Sequence, residues 1–221
     1  MAGNSKPLLI FDFDGTLADT MATGILIYNE IAGDYSLRTV TMEEVKDMRK
    51  LNTRAVLDHL GISRLLAVKL GVHIRRVLHE RMEQVEMISG IREAIEELDK
   101  LGYRLGILSS NSADNVRMFL QHFDLLSSFR FIEAGVSLFG KPQRIKGALR
   151  KQKAKAEDAM YVGDETRDME AARVANVSGL AVCWGVNDRE AMLTEGPDFC
   201  IDDPAELLAC AKAFEKSKES K

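Results

Sequence analysis

Short apolar runs recur along the chain and are separated by longer segments in which apolar residues have helical spacing. Six of these runs predict strands, at residues 8–13, 103–109, 129–133, 159–163, 179–184 and 198–201. Each run is almost continuously apolar, which is typical of parallel strands that are covered on both faces. The pattern therefore predicts an α/β fold built on a doubly wound parallel sheet.

The segments between the predicted strands contain polar residues that begin helices. Three starts combine a capping residue with a polar residue three positions later: Ser112 with Asn115, Asn187 with Glu190, and Asp203 with Glu206. Pro204 also occupies the first helical position after Asp203, where proline is favoured. These starts place helices after the second, fifth and sixth predicted strands, as a doubly wound fold requires.

About ninety residues separate the first two predicted strands, far more than a crossover helix needs. Within them, residues 41–44 form a capping box and residues 55–60 have helical spacing. An apolar stripe then predicts one face of a longer helix, at Ile74, Val77, Leu78, Met82 and Val85. We therefore expect a core at residues 1–17 and 87–221 and an inserted α-helical cap domain at residues 18–86.

Two carboxylates, Asp12 and Asp14, stand where the first apolar run ends. Because side chains alternate along an extended chain, the two carboxylates leave the backbone on the same side, and Gly15 permits a sharp turn after them. Burying such a pair is costly unless a cation, a proton or water compensates the charge. A polar turn is the simpler interpretation of this segment alone. The alternative is a site in which one aspartate attacks and the other transfers protons.

Three further polar segments follow later apolar runs. They are residues 109–111 (Ser-Ser-Asn), residues 140–142 (Gly-Lys-Pro) and residues 163–168 (Gly-Asp-Glu-Thr-Arg-Asp). In doubly wound sheets, ligands bind beyond the carboxyl ends of the strands, where the strand order reverses. The four polar segments are therefore expected to converge on one pocket.

Taken in order, the segments read as an Asp-x-Asp motif, a serine, a lysine and a Gly-Asp-x-x-x-Asp motif. In this respect the chain resembles the haloacid dehalogenase-like hydrolase superfamily, over roughly residues 8–203. A cap between the first two motifs is similar to that of the branch with phosphoglycolate phosphatase-like and beta-phosphoglucomutase-like enzymes. The resemblance implies a Rossmann-like core, phosphoryl chemistry, and a cap that closes over the pocket and selects the substrate.

The resemblance also implies roles for the acidic residues. Asp12 is the expected nucleophile, which forms an aspartyl phosphate, and Asp14 is the expected general acid and then general base. The expected cofactor is Mg²⁺, which prefers oxygen ligands, and no organic cofactor is needed. Its predicted ligands are Asp12, the Asp14 backbone carbonyl, Asp164 and Asp168, the last of which either orients Lys141 or acts through a metal-bound water.

Hydroxyl, amide and ammonium groups complete the predicted site. Lys141 adds positive charge near the phosphate, and the Ser109 hydroxyl donates to phosphate oxygens. Ser110 is the alternative phosphate-binding hydroxyl, and we favour Ser109 because it lies nearest the strand. Ser110 and Asn111 are predicted to bind substrate. Glu165 either joins the metal site or begins a helix, and we expect its side chain to be exposed.

The cap contains a basic cluster, Arg49, Lys50 and Arg54. Arg54 stands at a predicted helix start, where the cap substrate loop of the resembling family falls. We expect Arg54 to bind an anionic part of the substrate. A solvated helix face is the alternative interpretation of this cluster.

Composition excludes several other classes of protein. The 221 residues include 30 basic and 34 acidic side chains, for a net charge of −4. No broad electropositive face for nucleic acid is expected. The three cysteines lack Cys-x-x-Cys spacing and are expected to be reduced thiols. No apolar stretch reaches membrane-spanning length and no signal peptide is recognised, so we expect a cytoplasmic location and no membrane partner.

A Mg²⁺-dependent phosphomonoester hydrolase of a small phosphorylated metabolite is the function that the sequence favours. A phosphomutase built on the same residues is the main alternative, and release of inorganic phosphate would separate the two. A non-catalytic binding protein is the distant third, because Asp12, Lys141 and Asp164 are all present. The identity of the substrate and the oligomeric state stay open.

Overall fold

The computed structural model describes residues 6–135 and 140–219 of the chain. Its strands are β1 (Leu8–Phe11), β2 (Arg104–Ser109), β3 (Phe129–Ala134), β4 (Ala159–Gly163), β5 (Ser178–Val182) and β6 (Phe199–Ile201). All strands are parallel and form one sheet in the order β3-β2-β1-β4-β5-β6. The predicted doubly wound α/β fold is confirmed.

Helices connect the strands and cover both faces of the sheet. Their bounds are α1 (Thr20–Ile31), α2 (Met42–Met48), α3 (Thr53–His59), α4 (Arg64–Glu80), α5 (Ile91–Lys100), α6 (Ala113–His122), α7 (Lys141–Lys151), α8 (Thr166–Ala175), α9 (Arg189–Leu193) and α10 (Leu207–Glu219). Among the described residues, none of these helices has the length and apolar character that crossing a membrane requires.

The central strand β1 explains the position of the site. Its four residues are at most 1% exposed, and alternate side chains enter the two apolar layers on opposite faces of the sheet. β1 pairs with β2 on one side and with β4 on the other, so the strand order reverses at this point. Asp12 follows β1 directly and therefore lies at the switch point where doubly wound sheets bind ligands.

Helices α1 to α4 lie between β1 and α5 in the sequence, in the segment predicted as the cap. The chain leaves and re-enters this segment at adjacent points, because Ala18 forms a bridge with Met87 and the Ile88 N–H donates to the Leu17 oxygen at 3.0 Å. The division into a core at 1–17 and 87–221 and a cap at 18–86 stays a prediction. Parts of that core, residues 1–5, 136–139 and 220–221, lie outside the described residues.

Some local predictions are confirmed and others are wrong. Ser112 caps α6 by accepting from the Asn115 N–H at 3.1 Å, as predicted. The predicted start at Asn187 is wrong by one residue, because Asp188 caps α9. The long apolar stripe is interrupted, because α4 ends at Glu80 and a separate 3₁₀ helix covers Met82–Gln84.

Candidate active site

Asp12 is held at the carboxyl end of β1 by charge and by backbone groups. Its side chain is almost buried, and its Oδ1 accepts from the Phe13 N–H at 2.8 Å. Its Oδ2 accepts from Lys141 Nζ at 2.6 Å. Both oxygens of the Asp12 carboxylate are therefore oriented by hydrogen-bond donors, one of which carries a positive charge.

Lys141 joins two of the acidic motifs. It is the first residue of α7, and its ammonium donates to both Asp12 and Asp168. Burial acts to lower the pKa of Lys141, but the charges of Asp12 and Asp168 outweigh burial and raise the pKa well above its usual value. Lys141 is therefore a fixed positive charge at neutral pH.

Asp164 lies at the end of β4 and is fully buried. Its Oδ1 accepts from the Thr16 hydroxyl at 2.8 Å, and its Oδ2 accepts from the Val186 N–H at 2.8 Å. Burial, together with the charges of Glu165 and Asp168, raises the pKa of Asp164 well above its usual value. The surroundings of Asp164 therefore supply too little positive charge to balance its ionised carboxylate.

Three carboxylates form a group that fits a divalent cation. Asp12, Asp164 and Asp168 each offer one oxygen, and these oxygens lie within 4.8 Å of one another. Burial also raises the pKa of Asp168 to about 6, although Lys141 opposes the shift. Lys141 is the one ammonium in contact with this group among the described residues. An all-oxygen set with excess negative charge suits a hard cation such as Mg²⁺.

Asp14 occupies a different environment from Asp12. Its Oδ1 accepts from Asn111 Nδ2 at 2.8 Å, and Ser109 Oγ lies 3.5 Å from its Oδ2. Burial and the nearby charge of Asp12 raise the pKa of Asp14 to about 6, against the lowering effect of the Asn111 amide. Asp14 therefore holds its proton more tightly than an ordinary aspartate does.

A chain of hydrogen bonds connects Asp14, through Asn111 and Asn115, to the end of α4. Asn111 Oδ1 accepts from Asn115 Nδ2 at 2.8 Å, and Asn115 Oδ1 is in turn bonded to His79 Nδ1 at the end of α4. Asn111 and Asn115 are each 1% exposed. The predicted substrate-binding role of Asn111 stays a prediction, and its amide is committed to Asp14.

The two serines after β2 differ in access. Ser109 is fully buried, and its Oγ accepts from the Asn111 N–H at 3.0 Å. Ser110 is exposed and lines a cavity of about 620 Å³ together with Lys141. Of the two serines, Ser110, one residue beyond the strand, is the one that lines this cavity.

The cavity lies between α4 of the predicted cap and the core, and its lining is predominantly positive. Among the described lining residues, Arg75 on α4 and Lys141, Arg144 and Arg167 on the core accompany one acidic residue, Glu170. Within the part of the chain that the structure describes, Arg75 makes no hydrogen bond or ion pair. The cavity therefore favours an anionic occupant.

Three other residues singled out from the sequence, Arg54, Glu165 and Lys50, are not among the described residues that line the cavity. Arg54 is exposed in the first turn of α3 and makes no hydrogen bond or ion pair within residues 6–135 and 140–219. The exposure predicted for Glu165 is wrong, because its side chain is only 13% exposed and is paired with Arg167. Glu165 caps α8 and is not a member of the acidic group. Lys50 is exposed and paired with Asp47.

Sequence reasoning did not assign roles to several residues around Asp164. Thr16 and Val186 hold its two oxygens, and Asn187 donates its N–H to the Asp164 backbone oxygen at 3.0 Å. Two glycines, Gly15 with a φ of 73° and Gly185, stand so close that a Cβ on either would overlap the Asp164 carboxylate. The Trp-Gly pair at the end of β5 was the available signal for Gly185.

We expect Gly185→Ala to lower kcat/KM by about a hundredfold, because the new methyl group displaces Asp164 and misplacement of about 1 Å has effects of this size. The matched control is Gly147→Ala in α7, where a Cβ meets nothing within 4 Å. Steady-state kinetics with p-nitrophenyl phosphate measure both variants. Equal activity of the two variants would show that the packing of Gly185 on Asp164 has no part in the reaction.

Comparison with known proteins agrees with this geometry. The family model for haloacid dehalogenase-like hydrolases matches residues 9–182, and the chain belongs to this family. A phosphoglycolate phosphatase of Synechococcus elongatus is 33% identical over 200 residues, which cover 90% of this chain and 94% of that protein. The pyrophosphatase PpaX of Bacillus anthracis is 26% identical over 216 residues, which cover 95% and 98%.

A solved structure shows the same fold. The crystal structure of a predicted phosphatase from Clostridium acetobutylicum aligns with a TM-score of 0.81 at 19% identity, and covers 95% of this chain and 100% of that chain. Together with the family and its relatives, these matches identify the chain as a hydrolase of the phosphatase type. The predicted resemblance to the branch with phosphoglycolate phosphatase-like enzymes is confirmed.

Proposed function

We propose that the protein is a Mg²⁺-dependent phosphomonoester hydrolase that acts on a small phosphorylated metabolite through an aspartyl phosphate on Asp12. The observation that carries the proposal is the difference between the environments of Asp12 and Asp14. Asp12 accepts hydrogen bonds from the Lys141 ammonium and the Phe13 N–H, while the pKa of Asp14 is raised to about 6. A nucleophile and a proton carrier need this difference.

In the first half of the reaction, an Asp12 carboxylate oxygen attacks the phosphorus atom. The bond between phosphorus and the ester oxygen breaks, and protonated Asp14 gives its proton to the leaving alcohol. Lys141 keeps Asp12 oriented and offsets negative charge on the phosphoryl group. The products of this half are the alcohol and a phosphoryl group on Asp12.

In the second half, Asp14 is a carboxylate and accepts a proton from water. The water oxygen attacks phosphorus, the bond to Asp12 breaks, and inorganic phosphate leaves. Asp12 returns to its carboxylate form, and Asp14 is protonated again for the next turnover. Asn111 fixes the Asp14 carboxyl in both halves by its hydrogen bond of 2.8 Å.

Asp12, Asp164 and Asp168 are the side chains that would hold Mg²⁺, and the predicted fourth protein ligand is the Asp14 backbone carbonyl. When bound, the ion supplies positive charge that reduces repulsion between the carboxylates and the phosphate. The shortage of positive charge around Asp164 supports this assignment.

The phosphate-binding hydroxyl is proposed to be that of Ser110. Ser109, which the sequence favours, is fully buried; its Oγ accepts from the Asn111 N–H and its hydroxyl faces Asp14 Oδ2 at 3.5 Å. Ser110 lines the cavity beside Lys141. Its exposure leaves the hydroxyl free to donate to a phosphate oxygen.

The positive lining of the cavity supports a substrate whose leaving group is itself anionic. Arg75 on α4 lines the cavity and has no hydrogen-bond or ion-pair partner among the described residues, so its guanidinium is available to such a group; Arg54 is the second proposed contact. Relatives named as a phosphoglycolate phosphatase and a pyrophosphatase suggest a carboxylate or a second phosphate as that group.

The function is tested by measuring release of inorganic phosphate from 2-phosphoglycolate, pyrophosphate, glucose 6-phosphate and p-nitrophenyl phosphate. We expect turnover in Mg²⁺, loss of turnover in excess chelator, and a higher kcat/KM for one of the two substrates with an anionic leaving group. Restoration by added Mg²⁺ is the control for damage by the chelator. Full activity in chelator contradicts the metal role, and phosphate transfer to a second alcohol without release would indicate a mutase.

A further inference from the structure

The loop that follows β5, at residues 183–188, contacts the acidic site and the predicted cap at once. On the core side, the Asn187 N–H donates to the Asp164 backbone oxygen at 3.0 Å. On the cap side, the guanidinium of Arg49 donates to the Cys183 carbonyl at 2.7 Å. The loop therefore joins a proposed metal ligand to the segment between α2 and α3.

Asn187 is the centre of this junction and is only 2% exposed. Its Oδ1 accepts from the Thr166 N–H, in the first turn of α8, at 3.0 Å. Its Nδ2 donates to the backbone oxygens of Arg49 at 3.0 Å and Leu51 at 2.9 Å. Both amide hydrogens and the amide oxygen are used, two towards the cap segment and one towards the core.

The chemistry of both partners explains why an amide stands here. α8 begins at Thr166, so its first N–H groups have no partner inside the helix and need an acceptor. α2 ends at Met48, and the carbonyls of Arg49 and Leu51 after it accept from the loop instead, that of Arg49 also from the Asp188 N–H at 3.1 Å. A side chain that accepts at one end and donates twice at the other satisfies both elements, and a carboxylate or a hydroxyl does not.

We propose that Asn187 is a positioning residue for the reaction, and that its amide couples the placement of cap residues 49–51 to the start of α8 and Asp164. α3, which carries Arg54, begins directly after this segment. The proposal rests on the proposed function in that Asp164 belongs to the catalytic site. Displacement of cap residues 49–51 is then expected to displace Asp164 as well.

Two substitutions remove the hydrogen bonds of Asn187 to the cap segment, one with and one without loss of its hydrogen bond to the core. Asn187→Asp keeps an acceptor for the Thr166 N–H but faces the two cap carbonyls without a donor. Asn187→Ala removes both halves and adds no charge beside Asp164. The matched control is Thr53→Val, which removes another contact between cap and core, from Thr53 Oγ1 to Glu165 Oε2 at 3.4 Å, in an exposed position.

Hydrogen exchange followed by mass spectrometry measures the local stability of the segments that Asn187 connects, and it does not depend on turnover. In both Asn187 variants we expect exchange at residues 49–53 and 184–188 to become at least about tenfold faster, because the two segments lose the hydrogen bonds that the Asn187 side chain makes between them. Exchange in β1 and β4 is expected to stay at the wild-type rate. Thr53→Val is expected to leave all of these segments unchanged.

Kinetics with p-nitrophenyl phosphate give the second readout. We expect kcat of the two Asn187 variants to fall by about tenfold or more through displacement of Asp164, with KM changed less. Unchanged exchange at residues 49–53 in both variants overturns the proposal, as does uniform acceleration over the whole chain, which would indicate only a loss of stability. Faster local exchange with unchanged kcat overturns the link to the reaction. Absence of turnover in the wild-type protein contradicts the proposed function instead.

Discussion

Asp12→Asn is expected to abolish phosphate release while the fold is retained. An amide cannot form an acyl phosphate, and it cannot match the charge of Lys141, so both the attack and the positioning of the group are lost. We expect kcat to fall by at least about a thousandfold, as for other variants that remove a nucleophile. Circular dichroism tests whether the fold is retained, and steady-state phosphate release measures the fall in kcat.

The matched control for Asp12→Asn is Asp99→Asn, the same chemical change on the exposed face of α5. It is expected to keep wild-type kinetics and stability. Turnover by Asp12→Asn at a rate near that of the control would exclude Asp12 as the nucleophile. Unfolding of Asp12→Asn alone would leave Asp12→Ser, which removes the negative charge with a smaller side chain, to decide the assignment.

Lys141→Met is expected to have the second largest effect. The substitution keeps most of the side-chain volume but leaves Asp12 and Asp168 facing each other without their shared ammonium. We expect kcat/KM to fall by about a hundred- to a thousandfold, which is typical for removal of one group that stabilises developing charge. In chelator, we also expect the free energy of unfolding to fall by about 3 kcal/mol, as when one partner of a buried ion pair is removed.

Lys146→Met, on the exposed side of the same helix, is the control for Lys141→Met. Phosphate release and thermal unfolding are compared for both variants and the wild-type protein. A loss of activity without any loss of stability would mean that the contacts of Lys141 with Asp12 and Asp168 do not stabilise the fold when Mg²⁺ is absent. Wild-type activity of Lys141→Met would remove Lys141 from the site.

Much of the acidic site could be predicted from the sequence because strand ends are local features. Asp12 and Asp164 follow neighbouring parallel strands, so the geometry of the sheet brings them together whatever surrounds them. Asp168 follows Asp164 by four residues and lies in the first turn of α8, which keeps it close to the same strand end. Lys141 follows a glycine at a helix start, and the structure brings it into contact with both Asp12 and Asp168.

Other features depend on contacts between residues that lie far apart in the sequence, or on exact element ends, and no local pattern reveals these. Asn187 resembles a helix cap in the sequence, but its partners at Arg49 and Leu51 are more than a hundred residues away. The choice between Ser109 and Ser110 depends on where β2 ends, and a shift of one residue reverses the side to which a side chain points. The early end of α4 reflects a break in backbone geometry within a continuous apolar pattern.

The central claim is a phosphoryl group carried by Asp12, and chemical trapping tests it most directly. The enzyme is stopped during turnover of its substrate and treated with sodium borohydride, which reduces an aspartyl phosphate to homoserine, and peptides are then sequenced by mass spectrometry. We predict homoserine at position 12, only in samples that received substrate, and none in Asp12→Asn. Homoserine at position 14 or elsewhere, or steady turnover without any trapped residue, would contradict the account.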